Sequence, residues 1–121
     1  VTEAAPLDRP LRNTPLMALA GVVHADPDAC FAALAAALRP TDSVGAFTAD
    51  APTRTVIRQG GWWYRGEWRV LEHEDGSRVE HELINVARPA HWAGPITGRA
   101  VIRAAPGEFQ RLLSRLVSEL E

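Results

Sequence analysis

The chain contains no lysine; all 13 of its basic residues are arginine. That bias is the mark of GC-rich bacterial codon usage and carries little about function. Basic excess is also missing, since the formal net charge is -2 and the isoelectric point about 6.1. A nucleic-acid surface needs clustered positive charge, so no nucleic-acid partner is expected. The single cysteine, Cys30, excludes an internal disulfide and a cysteine-based zinc site. It lies in an alanine-rich stretch without a flanking cation, where a small buried thiol is the plain reading. No apolar run is long enough to span a membrane. The first residues lack the charged start, apolar centre and cleavage site of a signal peptide, so the expected location is cytoplasmic. Gly60-Gly61 lacks the helix and the Lys or Ser/Thr of a phosphate loop, and no serine stands in a nucleophile elbow. No cofactor is called for.

What remains is an ordinary globular composition. The 121 residues are 46% apolar and 23% charged, which fits one domain with one core. Residues 1–13 carry Pro6, Pro10 and mixed charge without periodicity and read as a flexible arm, followed by a single domain over 14–121. Thr14 to His24 is almost wholly apolar and reads as a strand buried on both faces. Asp26-Pro27 starts a helix by capping and by a preset backbone angle; it runs to about Leu38, with Phe31, Leu34 and Leu38 on one stripe, and Pro40 ends it. Further strands are expected over Ser43–Thr48, Thr53–Gln59, Trp62–His73, Arg78–Ala87 and Ile96–Arg103, with a turn at Ala49–Pro52. Pro106 then opens a last helix, whose Phe109, Leu112, Leu113, Leu116, Val117 and Leu120 form a full apolar stripe.

The turns fix an expected register. A two-residue turn at Asp75-Gly76 places Val70 opposite His81, Trp68 opposite Leu83, Gly66 opposite Asn85, Tyr64 opposite Ala87 and, on the other face, Arg69 opposite Glu82. A two-residue turn at Gly60-Gly61 sets Ile57 against Tyr64, Thr55 against Gly66 and Arg54 against Glu67. Trp62 then points in, and Trp63 points out beside Arg58. The inner face combines apolar groups with Thr53, Thr55, Gln59, Tyr64, His81 and Asn85, and Gly66 leaves a gap in it. An apolar wall with a few convergent polar groups is the pattern of a ligand pocket.

The order of strand, helix, antiparallel meander and closing helix resembles the helix-grip fold of the START-like superfamily. That superfamily includes polyketide cyclases and aromatases, lipid and quinone carriers, and plant ligand binders. The carriers of the resemblance are the first strand running into Asp26-Pro27, the segment DGSRVEHEL (Asp75 to Leu83), and the helix Phe109 to Leu120. It implies an α+β domain in which a curved antiparallel sheet of about six strands wraps on the C-terminal helix. It supplies no catalytic residue, because the superfamily shares no invariant catalytic motif. The second short helix often found there has no room between Pro40 and Ser43.

His81 is the sharpest candidate for chemistry, with Tyr64 and Asn85 beside it, as an inward imidazole titrates near neutral pH. The plainer reading is a core histidine bonded to Tyr64 or Asn85. Thr55, Ile57, Tyr64, Trp68, His81, Leu83, Asn85 and Trp92 are the expected ligand-contacting set. Trp92 either gates a pocket mouth or caps the core. Trp63 either meets a partner or stacks on Arg58, the second being the simpler. Glu72, His73, Glu74 and Asp75 tempt a metal reading, but neighbours on a strand point apart, so no metal site is expected. The expected function is binding of a small hydrophobic or aromatic molecule, or its enzymatic version, a polyketide cyclase or aromatase. The rival is a non-enzymatic interaction domain with a filled cavity, meeting its partner through the outer sheet or Trp63. A cavity of about 300 Å³ or more favours the first. The oligomeric state is open.

Overall fold

A computed structural model describes residues 3–41 and 45–121 of the chain. One antiparallel sheet holds five strands: β1 (Thr14–Val23), β2 (Ala46–Asp50), β3 (Thr55–Gly60), β4 (Tyr64–His73) and β5 (Gly76–Asn85). Their order is β1-β5-β4-β3-β2, so every neighbouring pair but β1-β5 is a hairpin. Helix α1 (Pro27–Leu38) follows β1; the four-residue helix α2 (Gly94–Thr97) and the long α3 (Arg99–Leu120) follow β5. Both long helices pack on one face of the sheet and on each other. This is the expected α+β, helix-grip-like architecture, but with five strands among the described residues rather than about six. No helix among the described residues is long and apolar enough to cross a membrane.

Helix α1 starts as its sequence dictates. The Asp26 carboxylate accepts from the amides of Asp28 and Ala29 at 3.0 and 3.2 Å, and Pro27 fills the first turn. Its buried residues are Cys30, Leu34 and Ala35, while Phe31 and Leu38 are half-buried. β1 is not buried on both faces. It is an edge strand in which Leu19, Gly21 and Val23 face the helices while Ala18, Ala20 and Val22 are exposed. Small apolar residues on an open face mimic a buried run in the sequence. β2 begins at Ala46; the part of its expected span at Ser43 and Val44 lies outside the described residues. Its turn runs over Ala51–Arg54, so Asp50 still belongs to the strand.

The two hairpins depart from expectation in different ways. Between β4 and β5 the turn residues are Glu74-Asp75, and His73 pairs with Gly76. Val70 therefore faces Val79, Trp68 faces His81, Gly66 faces Leu83, Tyr64 faces Asn85, and Arg69 faces Glu80. A shift of two residues keeps every side chain on its expected face. Gly76 is needed for another reason: its φ is +129°, and a Cβ there would stand 2.7 Å from backbone atoms of Val23 and Ala25. Between β3 and β4 the loop has three residues, Gly61 to Trp63, and Gly60 pairs with Tyr64. That odd residue inverts β3. Ile57 lies opposite Glu67 and Thr55 opposite Arg69, both on the outer face, while Val56 and Arg58 turn inward opposite Trp68 and Gly66. The tryptophans exchange roles as well. Trp62 is exposed, and Trp63 is buried under Gly98 at the start of α3. Arg54 reaches Asp28 at 2.8 Å rather than Glu67.

The expected strand Ile96–Arg103 is helical. Its β-branched Val101 and Ile102 sit among alanines, and both start on the exposed or half-exposed side of α3. Pro106 lies inside α3 instead of opening it. Having no N–H, it leaves the Ile102 carbonyl without its helical donor.

The segment before β1 lies on the outer face of the sheet rather than hanging free. The Phe47 amide donates to the Glu3 carbonyl at 2.7 Å, and the Thr48 hydroxyl to the Ala5 carbonyl at 2.6 Å. Arg65, with no exposed surface, donates to the carbonyls of Pro6 and Leu7 at 2.9 and 2.8 Å. Glu67 and Glu82 face each other across the ladder, a repulsive pair. Arg9 resolves it by donating to both carboxylates at 2.9 Å, and Arg65 adds a bond to Glu67 at 2.8 Å. Under this cover Ile57 is buried on the outer face.

Candidate functional site

The inner face of the sheet and α3 enclose a cavity of about 120 Å³. The sheet contributes Arg58 from β3, Tyr64 and Trp68 from β4, and His81 and Leu83 from β5; α3 contributes Ala105, Glu108, Phe109 and Leu112, with Val101 and Leu38 at the edges. Cross-strand pairing makes the wall. Trp68 and His81 are directly opposite, and their rings stack at 4.3 Å with 12° between planes. Phe109 continues the stack from the helix at 5.8 Å from the imidazole. Such contacts add about 0.5–1.5 kcal/mol each beyond burial.

Gly66 decides the floor. A Cβ there would strike the Tyr64 hydroxyl and stand 2.8 Å from the six-membered ring of Trp68. Both side chains therefore lean over the bare glycine, which brings the phenol and the indole together in the wall.

His81 is bonded neither to Tyr64 nor to Asn85. Its Nδ1 lies 2.9 Å from the Glu67 carbonyl oxygen. A carbonyl only accepts, so Nδ1 carries the proton and Nε2 of the neutral ring is an acceptor. Among the described residues Nε2 has no partner, yet no fully buried side-chain nitrogen or oxygen is left unbonded. Nε2 therefore keeps some accessible surface, and His81 is among the residues that line the cavity. Burial pushes the His81 pKa below its ordinary value, against the opposing pull of the Glu67 carbonyl and of the Glu108 and Glu82 charges. The Tyr64 hydroxyl also lacks a partner among the described residues, and burial pushes its pKa up to about 12, so it stays a protonated donor. Arg58 draws that value down and Glu108 raises it, and both side chains line the cavity with the phenol.

Of the expected set, the cavity brings together Tyr64, Trp68, His81 and Leu83. Thr55 and Ile57 are on the other side of the sheet because of the three-residue loop. Asn85 is buried but faces the following loop. Its amide donates to the His91 carbonyl at 2.6 Å, its oxygen accepts from the Ala87 amide at 3.1 Å, and Gly94 packs against it. Trp92 neither gates nor caps: it is 74% exposed in the turn His91–Ala93. Arg58, Glu108 and Phe109 were missed. The first needed the true loop length, and the other two needed the angle at which α3 crosses the sheet.

His73, Glu74 and Asp75 do converge, with ligand-type atoms within 4.8 Å, because Glu74 and Asp75 form the turn rather than continuing a strand. The cluster is largely exposed, and the His73 Nδ1 already accepts from the Asp75 amide at 3.1 Å. Cys30 is buried, and burial raises its thiol pKa, which keeps it protonated and unreactive.

Comparison with protein-family models, with curated proteins and with solved structures finds no match to the chain.

Proposed function

We propose that this chain is a START-like binding domain that holds a small single-ring aromatic molecule between the sheet and α3. The observation that carries this reading is the stacked Trp68–His81 wall of a cavity of about 120 Å³, with Nε2 of His81 unengaged among the described residues. An apolar cavity of about 150 Å³ is enough to take up benzene, whereas drug-sized ligands use roughly 300 Å³ or more. At about 120 Å³ the cavity falls short of the roughly 300 Å³ expected of a ligand pocket, which weighs against a folded polyketide chain and leaves room for at most one ring. In an enzymatic version of the same site, Nε2 of His81 takes a proton and the Tyr64 hydroxyl donates one to a carbonyl. Asn85 has no part in it.

Calorimetric titration with phenol tests the reading. One saturable site is expected, and Ala105→Leu, which fills the cavity from α3, abolishes it while the protein stays folded. Absence of saturable binding, or unchanged binding in Ala105→Leu, overturns it. For any compound found to be turned over, His81→Phe loses turnover and keeps binding.

The rival interaction module draws on a different place. A shallow groove of about 370 Å³ runs beside exposed Trp62, between Pro10, Val86 and Pro89. Trp63 and the sheet's central outer face are covered, so this groove is the surface such a module would use. Loss of a protein partner on Trp62→Ala, with phenol binding unaffected, marks that role.

A further inference from the structure

We infer that the ligand of this cavity is an aromatic carboxylate, of the size of a hydroxybenzoate, whose acid group sits on Arg58 and the Tyr64 hydroxyl and whose ring hydroxyl donates to Nε2 of His81. The inference deepens the proposed function and rests on it.

Four polar groups reach this cavity without a protein partner among the described residues: Arg58, Tyr64 and His81 on the sheet, and Glu108 at the rim on α3. Their chemistries differ. Arg58 offers only donors and a positive charge. Six of the other twelve arginines meet a carboxylate within 4.0 Å, namely Arg9, Arg54, Arg65, Arg69, Arg78 and Arg115, and Arg58 differs from those left unpaired among the described residues in lining the cavity. Arg58 is half-buried, faces the helices from β3 and makes no ion pair among the described residues. A guanidinium partly withdrawn from water without a counter-charge is costly, and a planar carboxylate matches its fork of donors. Tyr64 lines the same cavity and adds a hydroxyl donor. His81 is the opposite: with Nδ1 committed to the Glu67 carbonyl, it presents a lone pair and selects a ligand that brings a hydroxyl or N–H.

The sheet sets the spacing. Arg58 is level with Gly66 and Leu83, and His81 lies one side-chain step further along β5. Two strand spacings and that step put the two Cα positions about 12 Å apart. The arginine side chain covers a large part of this span, and one substituted ring flanked by Trp68 fills the rest. Glu108 is the opposing charge. It is exposed on α3 at the rim, where hydration and salt screen it, and it makes no ion pair with Arg58. A ligand amine would choose Glu108, which gives the alternative its own signature.

The test is a calorimetric series with benzamide, benzoate, 4-hydroxybenzoate and benzylamine on the wild type, Arg58→Gln and His81→Phe, each checked for a cooperative thermal melt. Benzoate should bind at least ten-fold more tightly than benzamide. Arg58→Gln should erase that difference and leave benzamide unchanged. 4-Hydroxybenzoate should exceed benzoate, and His81→Phe should remove the excess alone. If benzamide or benzylamine binds as tightly as benzoate, the charge assignment is overturned while the single-ring cavity stands. If no ring compound binds at all, both fall.

Discussion

At the scale of single residues, His81 carries the account. Its inward direction was legible from the alternation of β5 alone, since Val79, His81 and Leu83 share a face. Its partner was not. The stacking on Trp68 depends on whether the turn is Glu74-Asp75 or Asp75-Gly76, and both choices satisfy the same alternation. Burial lowers the His81 pKa, so at pH below about 6.5 the unfolded chain takes up a proton that the folded chain resists. The contribution of His81 to stability is full above the unfolded value and lost as pH falls through the lower folded one. Denaturant titrations at pH 7.5 and 5.5 should show this loss, and His81→Phe should flatten it. Glu67 acts in a separate, more acidic window. Burial raises its pKa, but hydrogen bonds from Arg9 and Arg65 outweigh that and hold it below the usual value of 4.5. Its contribution disappears only as pH falls below that value. Gly66→Ala places a methyl group against the Tyr64 hydroxyl and Trp68 ring and should cost about 1–3 kcal/mol in denaturant unfolding, with a changed near-ultraviolet signal from Trp68.

At the scale of elements, what was legible followed from capping and periodicity. The Asp26-Pro27 start of α1 and the apolar stripe of α3 are local properties of sequence, and both hold except at Val117, which is exposed. Loop parity is not local. Gly60-Gly61 offers a two-residue turn as readily as Gly61-Trp62-Trp63 offers a three-residue one, and only the second buries Trp63 under Gly98. The β-branched pair Val101-Ile102 spoke for a strand, but it packs from a helix that continues through Pro106. Leu116 is fully buried at the centre of the α3 stripe, while Leu113 and Leu120 are half-buried. Leu116→Ala should therefore cost about 2–5 kcal/mol, read as a shift in denaturation midpoint at constant slope. The N-terminal segment had no periodicity to betray it, because carbonyls rather than side chains tie it to Arg65. Arg65→Met strips those carbonyls and Glu67 of their donor. It should destabilise the fold by about 3–5 kcal/mol and speed proteolysis around Leu11.

At the scale of the whole molecule, the sheet has two differently finished faces. The outer one is closed over its centre by the N-terminal segment through an arginine–glutamate network, and the inner one is closed by α1 and α3 around a residual cavity. The polar groups of the outer face are matched to one another, whereas Arg58, Tyr64 and His81 on the inner face are not. That contrast is the reason ligand binding is proposed for the inner side. The chain has four tryptophans, and their indole N–H resonances report on distinct places: Trp68 on the cavity, Trp63 beneath Gly98, Trp62 and Trp92 on the surface. A proton–nitrogen correlation spectrum recorded through a phenol titration is the most direct test of the central claim. The account predicts a saturable shift of the Trp68 indole together with the backbone amides of His81, Leu83 and Ala105, while Trp62 and Trp92 stay in place. Shifts confined to Trp62 and Trp92, with Trp68 unmoved, would contradict it.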